Sequence, residues 1–129
     1  MKESVAAVIK NDEGKILITK DGLNSQNMWK FPGGNIETGE TDEEALSRKV
    51  KEDLAIEISV NNYLAEKSLK QSNEVVNMIA YDAQFEYGKI KLLENEQYKW
   101  VKKEELGNLN FSSEDQFIVK ALQGEEEWN

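Results

Sequence analysis

The chain has 129 residues, 25 Asp and Glu against 16 Lys and Arg for a formal charge of −9, no His, no Cys and a single Arg, Arg48. That length supports one core rather than two, and 39% hydrophobic with 32% charged residues is the balance of a folded protein, not a disordered one. The missing residue types exclude disulfides, thiolate nucleophiles, iron–sulfur clusters, Cys- or His-ligated metals and every His-dependent triad. Acid–base or metal chemistry therefore has to run on carboxylates, Lys, Tyr or water. The acidic balance argues against nucleic-acid and anionic-membrane partners, which want basic patches. No apolar run approaches the roughly 20 residues that span a bilayer. The opening MKESVAAVIKNDEGK, with Glu3 near its start, reads as a first strand rather than a signal peptide, and the expected setting is the cytoplasm.

In chain order, residues 4–10 and 16–20 are short β-branched apolar runs joined by a turn at 11–15 with Gly14, a hairpin pattern. Residues 21–28 are a polar loop. WKFPGG, residues 29–34, holds the only Pro and a Gly pair, so no helix passes through it. Thr41 opens a helix in capping-box form, with Glu44 three residues on and acids in the first turn. Leu46, Val50 and Leu54 form its inward stripe, and it is expected to end near Leu54. A strand follows at 55–60, then a strand pair at 62–69 and 74–87, the latter apolar enough to be central. Residues 96–102, with Tyr98 and Trp100 as core and sheet residues, read as another strand. Residues 103–106 read as a helical turn ending at Gly107. Ser113 and Gln116 frame a second capping box, predicting a helix to about Gln123 with Phe117, Ile118 and Leu122 inward. The expectation is one α/β domain over 1–129 with a mixed sheet and an acidic solvated tail at about 124–129, where Trp128 has no evident role.

Residues 33–56, GGNIETGETDEEALSRKVKEDLAI, carry the chemistry. On a helix Arg48 faces Glu52 and Lys49 faces Asp53, four residues apart, while Glu52 and Asp53 lie about 100° apart around the axis. Hard divalent cations take oxygen ligands and bridge carboxylates to substrate phosphates. The plainer reading of the acids is a solvated helix face, that of Arg48 a surface pair with Glu52, and that of Glu40 a partner of the helix N-terminus.

This segment resembles the Nudix box, Gly-x5-Glu-x7-Arg-Glu-U-x-Glu-Glu-x-Gly-U with U a bulky aliphatic residue. Gly34, Glu40, Arg48, Val50, Glu52 and Ile56 match at the required spacing. WKFPGG with Glu37 and Gly39 is similar to the approach to the box in MutT-type members. Residues 94–101 are similar to their downstream acidic segment and Trp-containing strand, and residues 111–122 to their final loop and helix. The resemblance implies an α/β/α sandwich with a mixed sheet. It also implies a hydrolase, dependent on Mg²⁺ or Mn²⁺, acting on nucleoside diphosphate-linked compounds, with a normal or oxidised nucleoside triphosphate as the expected substrate and pyrophosphohydrolase as the expected activity. It implies metal ligation by Glu52, Asp53, the Gly33 carbonyl and Glu96 or Glu94, and orientation of the carboxylates by Arg48. Glu40, Glu94 or Glu96 completes the shell or activates water. Phe31 and Asp115 become candidates for the base pocket, against core packing and a helix first-turn acid respectively; Lys20 becomes a candidate phosphate contact. Members of the family often form homodimers.

Three positions depart from the pattern. Lys49 replaces a Glu, Asp53 replaces a Glu, and Ala55 replaces the closing Gly. Ala55 asks for φ < 0, where Gly allows a left-handed helix end. Lys49 makes the site two charge units more positive than the pattern and can pair with oxygens a metal needs, which is expected to weaken metal affinity. The alternative that Lys49 favours is a catalytically weak or inactive nucleotide-binding sensor on the same fold.

Overall fold

The computed structural model describes residues 2–20, 28–93 and 97–127. Among these, strands β1 (Lys2–Lys10), β2 (Ile16–Lys20), β3 (Gly33–Asn35), β4 (Glu57–Gln71), β5 (Glu74–Tyr87) and β6 (Gln97–Val101) form a mixed sheet. Its order is β4-β5-β1-β2-β6, with β3 also on β1. Helices α1 (Asp42–Leu54) and α2 (Gln116–Glu127) flank it, and a 3₁₀ turn covers Lys103–Asn108.

Alternation along β1 creates the layers. Val5, Ala7 and Ile9 pack with Leu17 and with Ala45, Leu46, Val50 and Leu54 of α1. Ala6 and Val8 face the other way, into a cluster with Ile18, Phe31, Phe111, Ile118 and Leu122 on the α2 side. Each of these large aliphatic side chains, taken from water, contributes on the order of 2 kcal/mol. The result is the expected α/β/α sandwich. No helix among the described residues is long and apolar enough to cross a membrane.

β1 pairs with β5 in parallel over Lys2 to Lys10. Its other edge is shared. It meets β2 at Lys10–Ile16 and β3 at Ser4–Asn35, Val5–Gly34 and Ala6–Gly33. Lys30 bridges to Thr19 of β2, and the Ala7 amide donates to the Pro32 carbonyl at 2.8 Å. WKFPGG therefore fills the wedge where β1 and β2 splay apart. The turn at Asn11 is tied by its own side chain, whose Oδ1 accepts from the amides of Glu13 and Lys15, both at 3.0 Å.

Four expectations change in detail. The strands expected at 55–60 and 62–69 are one strand, β4, with register irregularities between Val60 and Tyr63 and between Tyr63 and Ala65. The polar Asn61-Asn62 break in the pattern is a bulge, not a turn. Helix α2 begins at Gln116, three residues beyond Ser113, because residues 113–115 form a turn in which the Asp115 amide donates to the Ser112 carbonyl at 3.0 Å; it runs to Glu127 rather than Gln123. Tyr98 is exposed, while Trp100 is the partly buried partner, edge-on to Phe85. Trp128 lies outside the described residues.

Helix α1 follows the sequence closely. Thr41 Oγ1 accepts from the Glu44 amide, and the Glu44 carboxylate accepts from the Thr41 amide. Its other end does not follow. Ala55 adopts φ 60° and ψ 32°, donating its amide to the Lys51 carbonyl at 3.0 Å. The left-handed helix end of the family pattern is kept without the glycine, at a cost of roughly 1–2 kcal/mol for an L side chain. Ala55→Gly is therefore expected to stabilise the protein by about 1 kcal/mol, after the greater entropy of Gly in the unfolded chain is offset. Calorimetry should show Tm rising by about 4 °C.

Candidate functional site

The loop before α1 folds back onto the helix. The Glu40 amide donates to the Glu37 carbonyl at 3.0 Å, and Gly39 at φ 88° supplies the left-handed step. This brings Glu40 against Arg48. Arg48 Nε donates to Glu40 Oε2 at 2.6 Å and Nη2 to Glu40 Oε1 at 3.0 Å, a bidentate pair. The remaining donors reach the Asn35 carbonyl at 3.0 Å and Glu52 Oε1 at 3.2 Å, with Glu37 Oε2 at 3.8 Å. One guanidinium thus ties β3, the loop and the last turns of α1. Hydrogen bonding from Arg48, then from the Glu37 amide, holds the Glu40 carboxyl below its ordinary range, and the Glu40 bond raises Arg48 further. A lowered carboxylate pKa means the clasp is intact above that range and opens as pH falls through it. Glu40 Oε1 accepts from the Glu37 amide and Arg48 Nη2, and Oε2 from Arg48 Nε.

Lys49 occupies the next position. Its Nζ stands 3.4 Å from Asp53 Oδ1 and 3.9 Å from Glu52 Oε1. Two hard carboxylate donors with an ammonium between them mark a place suited to positive charge. Among the described residues no three acids gather as a metal cluster; Glu94 and Glu96 lie outside the described residues.

Gly33 sits where the backbones meet. A Cβ there would fall 2.0 Å from the Val5 carbonyl oxygen. Gly33 and Gly34 also line a cleft of about 150 Å³ with Ser4, Phe31, Met78 and Asp115. Phe31 is buried, stacked on Phe111 at 5.1 Å, and lines the cleft too, so packing and pocket coincide. Asp115 is 4% exposed, and its Oδ2 accepts from the Phe31 amide at 2.7 Å. This acid at the start of α2 is also tied by a bond across 84 residues of sequence. Lys20, by contrast, lays its ammonium over the Trp29 ring at 4.4 Å. Ser4, Met78 and Ser112 also line the cleft and were not expected. Ser4, a hydroxyl at the head of the buried run 4–9 of β1 and bonded to Asn35 Oδ1 at 2.7 Å, carried a readable signal; the other two carried none.

Burial raises the Asp115 carboxyl to about 7, with Glu114 adding and the Phe31 amide and Lys30 opposing. A raised acid pKa means that between its ordinary value and about 7 the folded state holds a proton the unfolded chain has released. Stability from this group therefore falls as pH rises through that window, by up to about 4 kcal/mol. Asp115→Asn keeps an oxygen for the Phe31 amide and removes the charge. Thermal melts from pH 5 to pH 8 should decline for the wild type and stay flatter for the variant, which should be the more stable of the two at pH 8.

A mixed sheet between two helices thus sets an Arg-braced carboxylate helix beside a cleft lined by paired glycines. The NUDIX domain family matches residues 1–122, and the chain belongs to it. It is 33% identical over 107 residues to the CTP pyrophosphohydrolase of Escherichia coli (strain K12), covering 81% of this chain and 78% of that one. It is 36% identical over 64 residues to the 8-oxo-dGTP diphosphatase of Haemophilus influenzae, covering 48% and 46%. Among solved structures, the E. coli ORF135 protein superposes with a TM-score of 0.87 at 30% identity, covering 96% of this chain and 89% of that one. A MutT protein from Methanosarcina mazei Go1 gives 0.83 at 25%, covering 97% and 94%. The chain is thus an enzyme of the Nudix hydrolase kind, acting on phosphoanhydride bonds. Such enzymes generally use divalent metal ions.

Proposed function

We propose that this enzyme is a metal-dependent nucleoside triphosphate pyrophosphohydrolase working in the cytoplasm, on a normal or oxidised nucleotide. The observation that carries the reading is the position of Gly34, which lines the base-sized cleft on one side and lies under Lys49 of the carboxylate helix on the other. A nucleotide with its base in the cleft would have its phosphates directed toward Glu52 and Asp53. The names of the relatives, a CTP pyrophosphohydrolase and an 8-oxo-dGTP diphosphatase, point the same way.

In this reading Glu52, Asp53 and the Gly33 carbonyl hold Mg²⁺ or Mn²⁺, and Glu96 or Glu94 completes the ligand set. Bound there, the ion supplies charge neutralisation at the phosphates and lowers the pKa of a water. Arg48 acts through the others: its clasp on Glu40 fixes the loop, and its contact with Glu52 Oε1 orients that carboxylate. Glu40 braces the loop through Arg48 and, with Glu94 and Glu96, is a candidate to complete the shell or activate water. Asp115 faces the base, where an ionised carboxylate accepts from a cytosine amino group or from a guanine N1–H and amino group. Water adds to phosphorus, a phosphoanhydride P–O bond breaks, and nucleoside monophosphate and pyrophosphate leave.

A second reading, a weak or inactive nucleotide sensor, is favoured by one observation, the Lys49 ammonium beside Asp53. A panel of normal and oxidised nucleoside triphosphates with Mg²⁺ or Mn²⁺ separates the two. Pyrophosphate release from at least one of them is expected. Saturable binding without turnover would move the assignment to the sensor.

A further inference from the structure

The side chain that departs most from the family pattern stands against Glu52 and Asp53, the two carboxylates read above as cation ligands. Lys49 is not a loose surface lysine. Its stem crosses Gly34 so closely that a Cβ there would fall 2.6 Å from Lys49 Cε and 2.9 Å from Cδ and from Cγ. The Lys49 and Asp53 side chains are 25% and 16% exposed, against 53% for Glu52. Two of the three cations of the helix, Arg48 and Lys49, divide these acids between them. Arg48 holds Glu40 in a bidentate pair, and Lys49 reaches Asp53 at 3.4 Å. A packed stem has lost much of its rotamer freedom already, so holding the ion pair costs less than it would for a free side chain.

We propose that Lys49 is a latch on the cation site that substrate releases: its ammonium covers Asp53 in the free protein, and the phosphates of a metal-bound nucleotide draw it off. The inference rests on the reading of Glu52 and Asp53 as cation ligands. A bare divalent ion has to displace the ammonium from Asp53 while also competing with it for Glu52, whose Oε1 stands 3.9 Å from Lys49 Nζ, and is repelled by it at close range. An ion arriving on a triphosphate brings oxygens that accept the displaced ammonium as a point charge. Lys49 therefore makes metal and nucleotide bind weakly apart and strongly together, a coupling between two ligands that runs through one side chain.

The test measures Mn²⁺ binding to the full chain by the paramagnetic resonance of the free ion, without nucleotide and with α,β-methylene-CTP. Lys49→Met keeps an unbranched stem on Gly34 and removes the charge; Lys49→Arg keeps the charge. Thermal melts verify that both variants fold. Lys49→Met is expected to bind bare Mn²⁺ about tenfold tighter than wild type, a change of about 1.4 kcal/mol, and Mn²⁺ with the analogue no tighter. Lys49→Arg should stay near wild type. A bare-Mn²⁺ Kd for Lys49→Met within about threefold of wild type would overturn the latch, since that is the worth of an ordinary surface pair. Equal tightening with and without the analogue would overturn the handover to phosphate. If neither wild type nor variant bound Mn²⁺, the cation reading of Glu52 and Asp53 would itself fall, and the latch with it.

Discussion

Asp53→Ala is expected to lower nucleotide turnover by at least about 100-fold while leaving the fold intact. Loss of groups that merely orient metal ligands already costs 10–100-fold, so removal of a ligand itself should cost at least the upper figure, about 2.7 kcal/mol of transition-state stabilisation. The structural cost is small by comparison. Among the described residues the Asp53 side chain pairs with the Lys49 ammonium at 3.4 Å, and an ion pair near the surface is worth about 1 kcal/mol or less. Its backbone carbonyl, which accepts from the Leu93 amide at 3.0 Å, is untouched by the change. The loss should therefore appear mainly in kcat, with Tm within a few degrees of wild type. Retention of the wild-type rate within about threefold would remove Asp53 from the site.

What sequence reading captured and missed divides along the range of the interactions. The cap at Thr41, the stripe of Leu46, Val50 and Leu54, and the Asn11 turn depend on neighbours within four residues, and each is present in the structure as read. The pairs Arg48–Glu52 and Lys49–Asp53 follow from helical geometry alone. The bidentate hold of Arg48 on Glu40 needs the turn through Gly39 to close first, so the pattern gave the participants but not the bond. Asp115 shows the limit. Its local signal, an acid at a helix start, is correct in kind, yet the carboxylate is claimed by the amide of Phe31 from the other side of the wedge. No periodicity encodes that contact. The three-residue strand β3 was likewise illegible, because its extended form depends on the unoccupied edge of β1 rather than on its own two glycines. Ala55 is the reverse case. The family pattern predicted the left-handed position correctly, and residue propensity misled.

The paired glycines offer the sharpest contrast in expected stability. Gly33→Ala should destabilise the protein by about 3 kcal/mol or more, the upper part of the range for forcing atoms into a packed site. The new Cβ would lie 2.0 Å from the Val5 carbonyl oxygen, 2.8 Å from Ala6 Cα and 2.9 Å from the Val5 carbonyl carbon. All three are backbone atoms of β1, and β1 is held on its far edge by the parallel ladder to β5. Relief requires β3 to leave β1 or β1 to shift against β5. At Gly34→Ala the nearest atoms are Cε, Cδ and Cγ of Lys49; that side chain would have to leave its packed position and its pair with Asp53, but it can move where the β1 backbone cannot, so the cost should stay at about 1 kcal/mol. Thermal melts of the two variants should differ by about 10 °C, with Gly33→Ala the lower. Similar Tm values would mean that β3 does not lie as close to β1 as the Val5–Gly34 and Ala6–Gly33 register requires. The wedge that connects the cleft to the carboxylate helix would then need to be redrawn.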